Sequence, residues 1–527
     1  MRRATNQSGK GSYMGRARVL LVASEAVPLV KTGGLADVIT ALAAVLIEHG
    51  VDATVLMPAY PAAVANALGL RQIGQIFDDL PGGSGRLLLG TMPGSQVPVL
   101  LLDTERFQRR TGDPYVNEDG NEYDDNALAF GDLAHAAVRI CAGRTMVPAP
   151  HVVHANDWHA GLIPLLLRVQ GITTVASALT IHNLAFQGNV DMHLAGALGV
   201  PADMLHADGV EFWGRLSFMK AGILCADRIT AVSDTYAAEI LTPRFGHGLD
   251  GLLGTRRDAL VAIPNGVDTD VWDPARDPLI ARPFSISDMA GKAACKRALQ
   301  KQLGLPVEPF APIIALGSRL THQKMADVAL DALPRLLERH ERLQVVVLGR
   351  GDHGYEARFR QLAADYPDRV AVHIGYDENL AHALHAGADM LLHGTRFEPF
   401  GLTPIYAMLY GTIPVGSRVG GLCDTVSDVG AADAPADNAN GVLFDGEGAD
   451  DMAAAVDRAL ALFAQPKQWQ RLQRNAMQAD FSWYGPARKY LRMYADIATP
   501  SARALFENTL LPRVTPSDEA ATAYKRA

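Results

Sequence analysis

Cysteine is scarce in this chain, which has four in 527 residues. They are Cys141, Cys225, Cys295 and Cys423, and this wide scatter fits neither a disulfide framework nor a zinc site. We therefore expect a reducing compartment, the cytoplasm, as the place where the protein works.

Long apolar runs are also missing. No stretch reaches the ~20 residues that a membrane-spanning helix needs. Residues 1–15 are polar and basic and lack the apolar core of a signal peptide. We expect no membrane partner and a disordered extension over residues 1–16, with Met14 as a second candidate start.

Excess positive charge is absent as well. The 48 Lys and Arg residues against 57 Asp and Glu residues give a formal net charge of −9, which argues against non-specific binding to nucleic acid or to an anionic membrane. The hydrophobic content of 48% and the charged content of 20% are typical of a globular protein. The length exceeds what one core supports, so two large domains are expected.

What the chain does have is a repeated theme of short apolar run, turn and helical pattern, which indicates doubly wound α/β sheets. The runs are 19–22, 53–57, 97–102, 151–154, 175–181, 228–232, 260–263, 313–316, 344–348, 370–374, 390–392 and 413–415. A turn cluster at 264–268 and a proline-rich stretch after it place the domain boundary there. We predict domains over 17–263 and 264–485, a helix over 486–498 that crosses back to the first domain, and a loosely ordered tail over 499–527.

A glycine pair follows the first apolar run. Lys31 precedes Gly33 and Gly34, and the pattern predicts a helix that starts near Gly34. Glycines let a ligand approach the backbone, a helix N-terminus attracts anions, and a lysine adds a point charge for phosphate. An ordinary strand–helix turn with a surface lysine explains the same segment equally well.

Two polar groups follow later strands of the first half. Asp157 follows the run at 151–154, where it is either a ligand contact or the N-cap of the helix around 165–167. His182 directly follows the run at 175–181, and it is either a structural histidine or a functional group at a strand end.

Two loops of the second half also follow strands. Arg319 and Lys324 flank a loop after the run at 313–316 and suit a diphosphate, although each alone reads as a surface cation. Glu398 lies in a loop with proline and glycine, where it either binds sugar hydroxyls or belongs to a plain capping loop. We predict Thr403 as N-cap and Pro404 as first helical residue, so that the N–H groups of 401–403 converge on a phosphate.

A short echo joins the two halves. The sequence Gly-Gly-Leu-Ala-Asp-Val at 33–38 returns as Gly-Gly-Leu-Cys-Asp-Thr-Val at 420–426. Coincidence explains an echo of this length as well as an internal likeness does. The likeness predicts two similar sheets, each with a helix opened by glycines, whose ligand-binding edges share one cleft.

With these motifs in view, residues 17–498 resemble the bacterial glycogen synthases and plant starch synthases. The matching segments are 31–38, 113–115 with Tyr123 and 125–126, 154–159, 180–188, 264–268, 318–324, 398–399 and 420–426. The resemblance implies a GT-B fold, in which two Rossmann-like domains face a central cleft. It also implies a retaining transfer of glucose from ADP-glucose to the non-reducing end of an α-1,4-glucan, with release of ADP and without a metal or organic cofactor.

The resemblance also implies roles for single residues. The donor would be bound by Lys31, Gly33, Gly34, Asn265, Gly401, Leu402 and Thr403. The catalytic group would comprise Asp157 and His182 at the transferred glucose, Arg319 and Lys324 at the departing diphosphate, and Glu398 at the glucose hydroxyls. The glucan acceptor would contact Tyr115, Trp158 and Phe186.

The chain departs from the family pattern at four places. Phe400 stands where cysteine is usual, Pro404 where glutamine is usual, Met325 where glycine follows the lysine, and Gly394-Thr395 where Pro-Ser is typical. Phe400 puts the nucleotide preference in question. A related enzyme with another nucleotide-glucose donor and a noncatalytic glucan-binding protein are the alternatives; the sequence leaves the oligomeric state open.

Overall fold

The computed structural model describes residues 15–117, 120–430 and 436–510. Residues 1–14 of the predicted extension and residues 511–527 of the predicted tail therefore lie outside the described part of the chain. Packing divides the chain into two compact units. The first comprises the described residues of 1–181, 185–229 and 484–527, and the second comprises those of 182–184 and 230–483.

A nine-stranded sheet has seven of its strands wholly in the first unit, whereas Leu260–Ala262 and the end of Arg228–Ala231 are assigned to the second. Its order is Leu260–Ala262, Arg228–Ala231, Ala176–Ile181, Val152–Asn156, Arg18–Val22, Asp52–Pro58, Pro98–Thr104, Gly83–Thr91 and Leu68–Leu80. The strands from Ala176–Ile181 to Pro98–Thr104 pair in parallel, and the last two form an antiparallel hairpin on that edge. The parallel strands are continuous apolar runs because helices cover both faces.

Helices and a small sheet complete this unit. The helices are Gly34–Glu48, Pro61–Asn66, Glu105–Gln108, Asn126–Cys141, Ile163–Val169, Phe218–Cys225, Tyr484–Ile497 and Pro500–Leu510. The small antiparallel sheet has the order Asn189–Val190, Arg215–Ser217 and Glu211–Phe212.

The second unit contains a six-stranded, wholly parallel sheet. Its order is Val370–Ile374, Gln344–Gly349, Ile313–Gly317, Met390–His393, Ile413–Ser417 and Val442–Phe444. The helices are Asp234–Glu239, Asp250–Thr255, Ala290–Gln302, Ala326–Arg339, His353–Asp365, Glu378–Gly387, Leu402–Leu409, Gly420–Thr425, Ala449–Phe463 and Pro466–Gln478. Ile313, Val346 and Leu391 on the strands and Leu384 on a helix are almost inaccessible and join one core.

Both sheets have the same parallel order. When the antiparallel hairpin is left out of the count, the first strand of each sheet lies at its centre, the second and third follow on one side, and the fourth begins the other side. A crevice forms outside the carboxyl ends of the first and fourth strands, and ligands of such sheets bind there. The chain is thus a pair of doubly wound α/β units, as predicted.

The division of the chain differs from the predicted one. The predicted boundary after 263 coincides with the last strand of the nine-stranded sheet, whereas packing divides the chain between Ile229 and Thr230. The helix predicted over 486–498 is Tyr484–Ile497 and belongs to the first unit. The prediction of a loose tail is wrong for 500–510, which form a helix that buries Ala502 and Phe506.

Among the described residues no helix is both long and apolar enough to cross a membrane.

Candidate functional site

In the first unit, the loop after the strand Arg18–Val22 is held by a buried carboxylate. Glu25 is 2% exposed, and its Oε2 accepts hydrogen bonds from Thr32 N at 2.5 Å and Thr32 Oγ1 at 2.8 Å. Burial raises the pKa of Glu25 to about 7, against the lowering effect of the bonds from Thr32 and Gly33. Glu25 therefore fixes the path of the loop that carries Lys31, a role that the sequence did not reveal.

The predicted anion-binding turn lies on that loop. Lys31 Nζ contacts Asp37 Oδ1 at 3.1 Å, and both side chains are about one-fifth exposed. The helix begins at Gly34 as predicted; Gly33 is its N-cap and has no side chain to occupy the first N–H groups. Gly33 has an extended backbone conformation that any residue adopts, so a glycine is not needed there for its conformation. Its missing side chain instead leaves the backbone open to a ligand.

The loop after the fourth strand of this sheet contains Asp157. Its φ is 55°, a left-handed conformation, and its side chain is 8% exposed. It precedes the short 3₁₀ turn Trp158–Ala160 without a side-chain capping hydrogen bond, and the helix Ile163–Val169 has Leu162 as its N-cap, so the predicted capping of that helix by Asp157 is wrong. A strained residue at this edge of the sheet is typical of a functional position.

The predicted acceptor contacts differ in how accessible they are. Tyr115 is partly buried, bonds Ser24 Oγ at 2.7 Å through its hydroxyl and stacks on His159. Trp158 is 9% exposed, because Phe130 and the chain at Gly188 cover its ring. Phe186 is 49% exposed. Of the three, Phe186 offers the most surface to a sugar, whereas Trp158 mainly supports the loop.

In the second unit, three ionisable groups come together where its first and fourth strands end. Glu398 Oε2 accepts a hydrogen bond from His393 Nε2 at 2.7 Å and pairs with Lys324 Nζ. The side chains of Lys324 and Glu398 are 11% and 9% exposed. Burial alone would raise the pKa of Glu398, but Lys324 and His393 outweigh it and lower that pKa to about 2. Glu398 is therefore a carboxylate across the working pH range.

His393 was not among the predicted site residues. It is the last residue of the strand Met390–His393, and burial and the neighbouring Lys324 lower its pKa. A neutral imidazole donates one hydrogen bond and so orients the carboxylate. Its place at a strand end, five residues before Glu398, was the available signal.

The two loops that carry this cluster are tied together. Gln323 Nε2 donates to Phe397 O at 3.2 Å, and Arg396 N donates to Gln323 O at 2.9 Å. The guanidinium of Arg396 binds both carboxylate oxygens of Asp327, at 3.1 and 2.9 Å. By contrast Arg319 is exposed and bonds Gln323 Oε1 at 3.2 Å, so it lies at the outer side of the same loop.

The helix after Glu398 starts earlier than predicted. It spans Leu402–Leu409 with Gly401 as N-cap, so Thr403 is not the cap and Pro404 is the third helical residue. Gly401 has φ 93°, which a glycine adopts without strain, and a Cβ there would lie 3.4 Å from Glu398 Cγ. This helix therefore starts beside Glu398 without a side-chain cap, and phosphate binding by its first N–H groups stays a prediction.

The second glycine pair supports the same loop. Gly421 N donates to Glu398 O at 2.9 Å, and Glu239 Oε1 accepts from Gly420 N at 2.9 Å. A Cβ on Gly420 would lie 1.8 Å from Glu398 O. This pair follows the fifth strand of its sheet and the pair at 33–34 follows the first strand, so the echo does not mark equivalent positions.

Two further predicted residues belong to the second unit. His182 is partly exposed, and burial lowers its pKa to about 3, which keeps the ring neutral. Asn265 is 7% exposed, and its Oδ1 has no hydrogen-bond partner among the described residues. A buried amide oxygen without a partner costs free energy unless a ligand or water binds it. No metal-binding group of three or more His, Cys, Asp or Glu occurs in the described part of the chain.

Known proteins match this chain over almost its whole length. The starch synthase catalytic domain model matches residues 18–255, and the model of glycosyl transferases group 1 matches 299–478. A glycogen synthase of Ralstonia nicotianae is 52% identical over 94% of this chain and 89% of its own length. One of Bordetella petrii is 50% identical over 93% and 94%.

Solved structures agree. The catalytic domain of starch synthase IV from Arabidopsis thaliana, bound to ADP and acarbose, aligns with a TM-score of 0.83 at 28% identity over 93% of this chain and 99% of that one. A sucrose-phosphate synthase from Thermosynechococcus elongatus, at 19% identity and a TM-score of 0.57, shares the fold. The two sheets, the strand-end loops and these matches together show that the chain belongs to the glycogen synthase family of GT-B glycosyltransferases.

Proposed function

We propose that the protein transfers glucose from ADP-glucose to the non-reducing end of an α-1,4-glucan, with retention of configuration and release of ADP. The observation that carries this proposal is the buried cluster of Lys324, Glu398 and His393 at the ligand-binding edge of the second sheet. The family supports the reaction class, and the related starch synthase that was solved with ADP supports an adenine nucleotide.

The donor needs groups that bind a diphosphate and a glucose. In this proposal Lys324 and Arg319 bind the diphosphate, and the N–H groups of Leu402 and Thr403 add the positive end of a helix. Glu398 accepts hydrogen bonds from glucose hydroxyls, and Asn265 supplies its unpartnered buried oxygen. Lys31 and the open backbone at Gly33 and Gly34 of the first unit contribute further phosphate and sugar contacts.

The bond changes follow from the chemistry of the donor. The anomeric C–O bond to the β-phosphate breaks, the sugar develops oxocarbenium character, and ADP leaves with the electron pair. The acceptor hydroxyl attacks from the face that the phosphate leaves, and its proton passes to a phosphate oxygen of the leaving group. This front-face course retains the configuration without a covalent sugar–enzyme intermediate.

Charge placement fits that course. The cations stabilise the departing diphosphate, which is the role that a metal has in other transferases, so the proposal includes no metal and no organic cofactor. His182 has a neutral ring because its pKa is about 3, so it accepts or donates a hydrogen bond without opposing the positive charge that develops on the sugar. Asp157 supplies a carboxylate at the first sheet.

The proposed location is the cytoplasm, supported by four free cysteines of which three are buried as thiols.

The experiment measures incorporation of labelled glucose into glycogen from ADP-glucose, UDP-glucose and GDP-glucose, each with and without EDTA. We expect incorporation that is fastest from ADP-glucose and unchanged by EDTA. Faster transfer from UDP-glucose or GDP-glucose would identify that nucleotide sugar as the donor in place of ADP-glucose. Loss of activity with EDTA would overturn the metal-free mechanism, and no incorporation from any donor would leave a noncatalytic glucan-binding protein.

A further inference from the structure

One tryptophan of this chain is exposed in a way that the transfer reaction does not explain. Trp213 is 84% exposed, whereas the other four tryptophans, at 158, 272, 469 and 483, are 5–9% exposed. It lies at the tip of the two-residue hairpin between Glu211–Phe212 and Arg215–Ser217. A large apolar surface in water is unfavourable, so its place at a tip needs a reason.

The backbone conformation at this tip makes a tryptophan at position 213 still less favourable. Trp213 has φ 53° and Gly214 has φ 78°, as a two-residue hairpin turn with two positive φ values requires. Asparagine or glycine occupies the first of these positions with little strain, but a bulky side chain is a conformational outlier there. Neither burial nor turn preference therefore accounts for an indole at this position.

The hairpin is rigid enough to present that side chain. Gly214 N donates to Glu211 Oε1 at 2.6 Å across the tip. At the base, the buried Lys220 Nζ donates to the carbonyl oxygens of Glu211 at 2.6 Å and Ala207 at 2.5 Å. Phe212 packs edge to face against the indole, with the ring centroids 6.2 Å apart. The ring is thus held outward.

The same hairpin is bonded to the segment that follows Phe186. Ser217 pairs with Asn189, Ser217 Oγ donates to Gln187 O at 3.2 Å, and Met219 N donates to Gln187 O at 3.0 Å. Phe186, 49% exposed, therefore begins a segment that is fixed to the hairpin of Trp213. Two exposed aromatic rings belong to one small substructure of the first unit.

We propose that Trp213 is a carbohydrate-stacking contact for an α-1,4-glucan chain, in addition to the residues at the transfer site. The faces of a glucose ring carry C–H groups of slight positive charge, and these pack on the negative face of an indole. The exposed Arg215 next to it offers N–H donors to sugar hydroxyls. This proposal rests on the proposed function, since it takes the glucan acceptor as the ligand.

A contact of this kind acts on a long acceptor more than on a short one. We expect Trp213→Asn, which suits the left-handed turn, to lower the ratio of kcat/KM for glycogen to kcat/KM for maltotetraose by about tenfold. Trp213→Tyr, which retains an aromatic face, should recover most of the ratio. Phe310→Asn is the matched control, because Phe310 is 77% exposed in the other unit and should leave the ratio unchanged.

Affinity electrophoresis in gels that contain glycogen gives a second readout that needs no catalysis. Retardation should be weaker for Trp213→Asn than for the unmodified protein and for Phe310→Asn. Equal retardation of Trp213→Asn and the unmodified protein, together with an unchanged kcat/KM ratio, would overturn the inference. A change of oligomeric state in Trp213→Asn at unchanged glycogen affinity would also overturn it, because it would indicate that Trp213 forms a contact between copies of the chain. If the unmodified protein transferred no glucose, the proposed function would fail while the electrophoresis still tested Trp213.

Discussion

Among single residues, Glu398 contributes both to the proposed chemistry and to the stability of its unit. Glu398→Gln removes the charge that pairs with Lys324 and weakens the contact to glucose hydroxyls, so we expect kcat to fall by about 10²–10³-fold. The change also leaves Lys324 as a buried charge without its counter-ion, which should lower the free energy of unfolding by about 3 kcal/mol. Initial rates and urea unfolding of the same preparation measure both effects.

Glu447→Gln is the control for that substitution. Glu447 also belongs to an ion pair, with Arg396, but its side chain is 46% exposed, and an exposed pair contributes less than about 1 kcal/mol. We expect nearly unchanged turnover and stability. A Glu398→Gln enzyme that works as well as the Glu447→Gln enzyme would remove Glu398 from the site.

Glu25 predicts a pH dependence of stability. Its pKa is raised from 4.5 to about 7 in the folded state, so the unfolded chain loses this proton at lower pH than the folded one. The contribution of Glu25 to stability therefore falls as the pH rises from about 4.5 to 7, by about 3 kcal/mol in total, and stays at that lower level above pH 7.

Glu25→Gln tests this, because glutamine keeps an acceptor for Thr32 and has no proton to lose. The stability of the variant relative to the unmodified protein should rise by about 3 kcal/mol between pH 4.5 and pH 8. Urea unfolding at both pH values measures it. A difference that does not change with pH would show that Glu25 titrates normally.

Met325 occupies a conformation that suits glycine. Its φ and ψ are 51° and 35°, yet its side chain is fully buried, with Sδ 3.5 Å from Ser417 Oγ. Gly394 leaves room beside it, since a Cβ there would lie 3.4 Å from Met325 Cβ and 2.5 Å from Met452 Cε. The two departures from the family pattern are thus neighbours, and the methionine packs where position 394 has no side chain.

Two variants separate strain from packing at Met325. Met325→Ala and Met325→Gly both lose the buried side chain, so each should be less stable than the unmodified protein by about 2 kcal/mol or more. Only glycine also relieves the left-handed strain, so Met325→Gly should be more stable than Met325→Ala by about 1 kcal/mol. Urea unfolding gives the order, and the reverse order would show that the backbone is not strained.

The sequence predicted the loop positions of the charged candidate residues better than their partners. Lys324 and Glu398 were recognisable because each follows an apolar run in a loop of polar residues. Their direct pairing, and the contribution of His393, were not, because 74 residues separate the two partners and only the sheet order brings their loops together. Glu25 was missed because no sequence motif marks a buried carboxylate whose donors are the backbone N–H and the hydroxyl of one threonine, Thr32.

At the scale of secondary structure elements, the start of the helix Leu402–Leu409 was misplaced by two residues. A threonine before a proline is a common N-cap pattern, but the left-handed turn at Gly401 starts the helix earlier. Because Thr403 is not the cap, Thr403→Ala should change the free energy of unfolding by less than about 0.5 kcal/mol, whereas a lost cap costs about 1 kcal/mol. Gly401→Ala, with φ 93°, should cost about 1–2 kcal/mol.

Urea unfolding of both variants decides between the two caps. If Thr403→Ala lowered the free energy of unfolding more than Gly401→Ala did, Thr403 would be the N-cap after all.

Strands were predicted well where both faces are buried and poorly at the edge. The parallel strands are continuous apolar runs, and nearly all were found in the sequence. The hairpin strand Leu68–Leu80 was missed, because most of its residues are exposed and it alternates weakly. The strand Val442–Phe444, which has three residues and lies at the edge of its sheet, was also missed.

At the scale of the whole molecule, the doubly wound class followed from the alternation of strands and helices, but the course of the chain near its end did not. The polar segment after 498 predicts a loose tail, but one buried aromatic side chain in it, Phe506, fixes part of the segment to the core. Phe506 is fully buried against Tyr494 and lies near His151, with ring centroids 5.7 and 6.5 Å apart. The helix Pro500–Leu510 is therefore part of the core of the first unit.

Phe506→Ala tests that assignment. Loss of a buried phenylalanine should lower the free energy of unfolding by about 3–5 kcal/mol, whereas the neighbouring exposed Glu507→Ala should change it by less than about 0.5 kcal/mol. Thermal and urea unfolding, followed by tryptophan fluorescence, measure the difference. Because Phe506 packs near His151, at the start of the strand Val152–Asn156, and Asp157 follows the other end of that strand, kcat at a temperature where both variants are folded should be nearly equal. Equal stability of the two variants would mean that the helix adds little to the core. The predicted loose tail would then include residues 500–510.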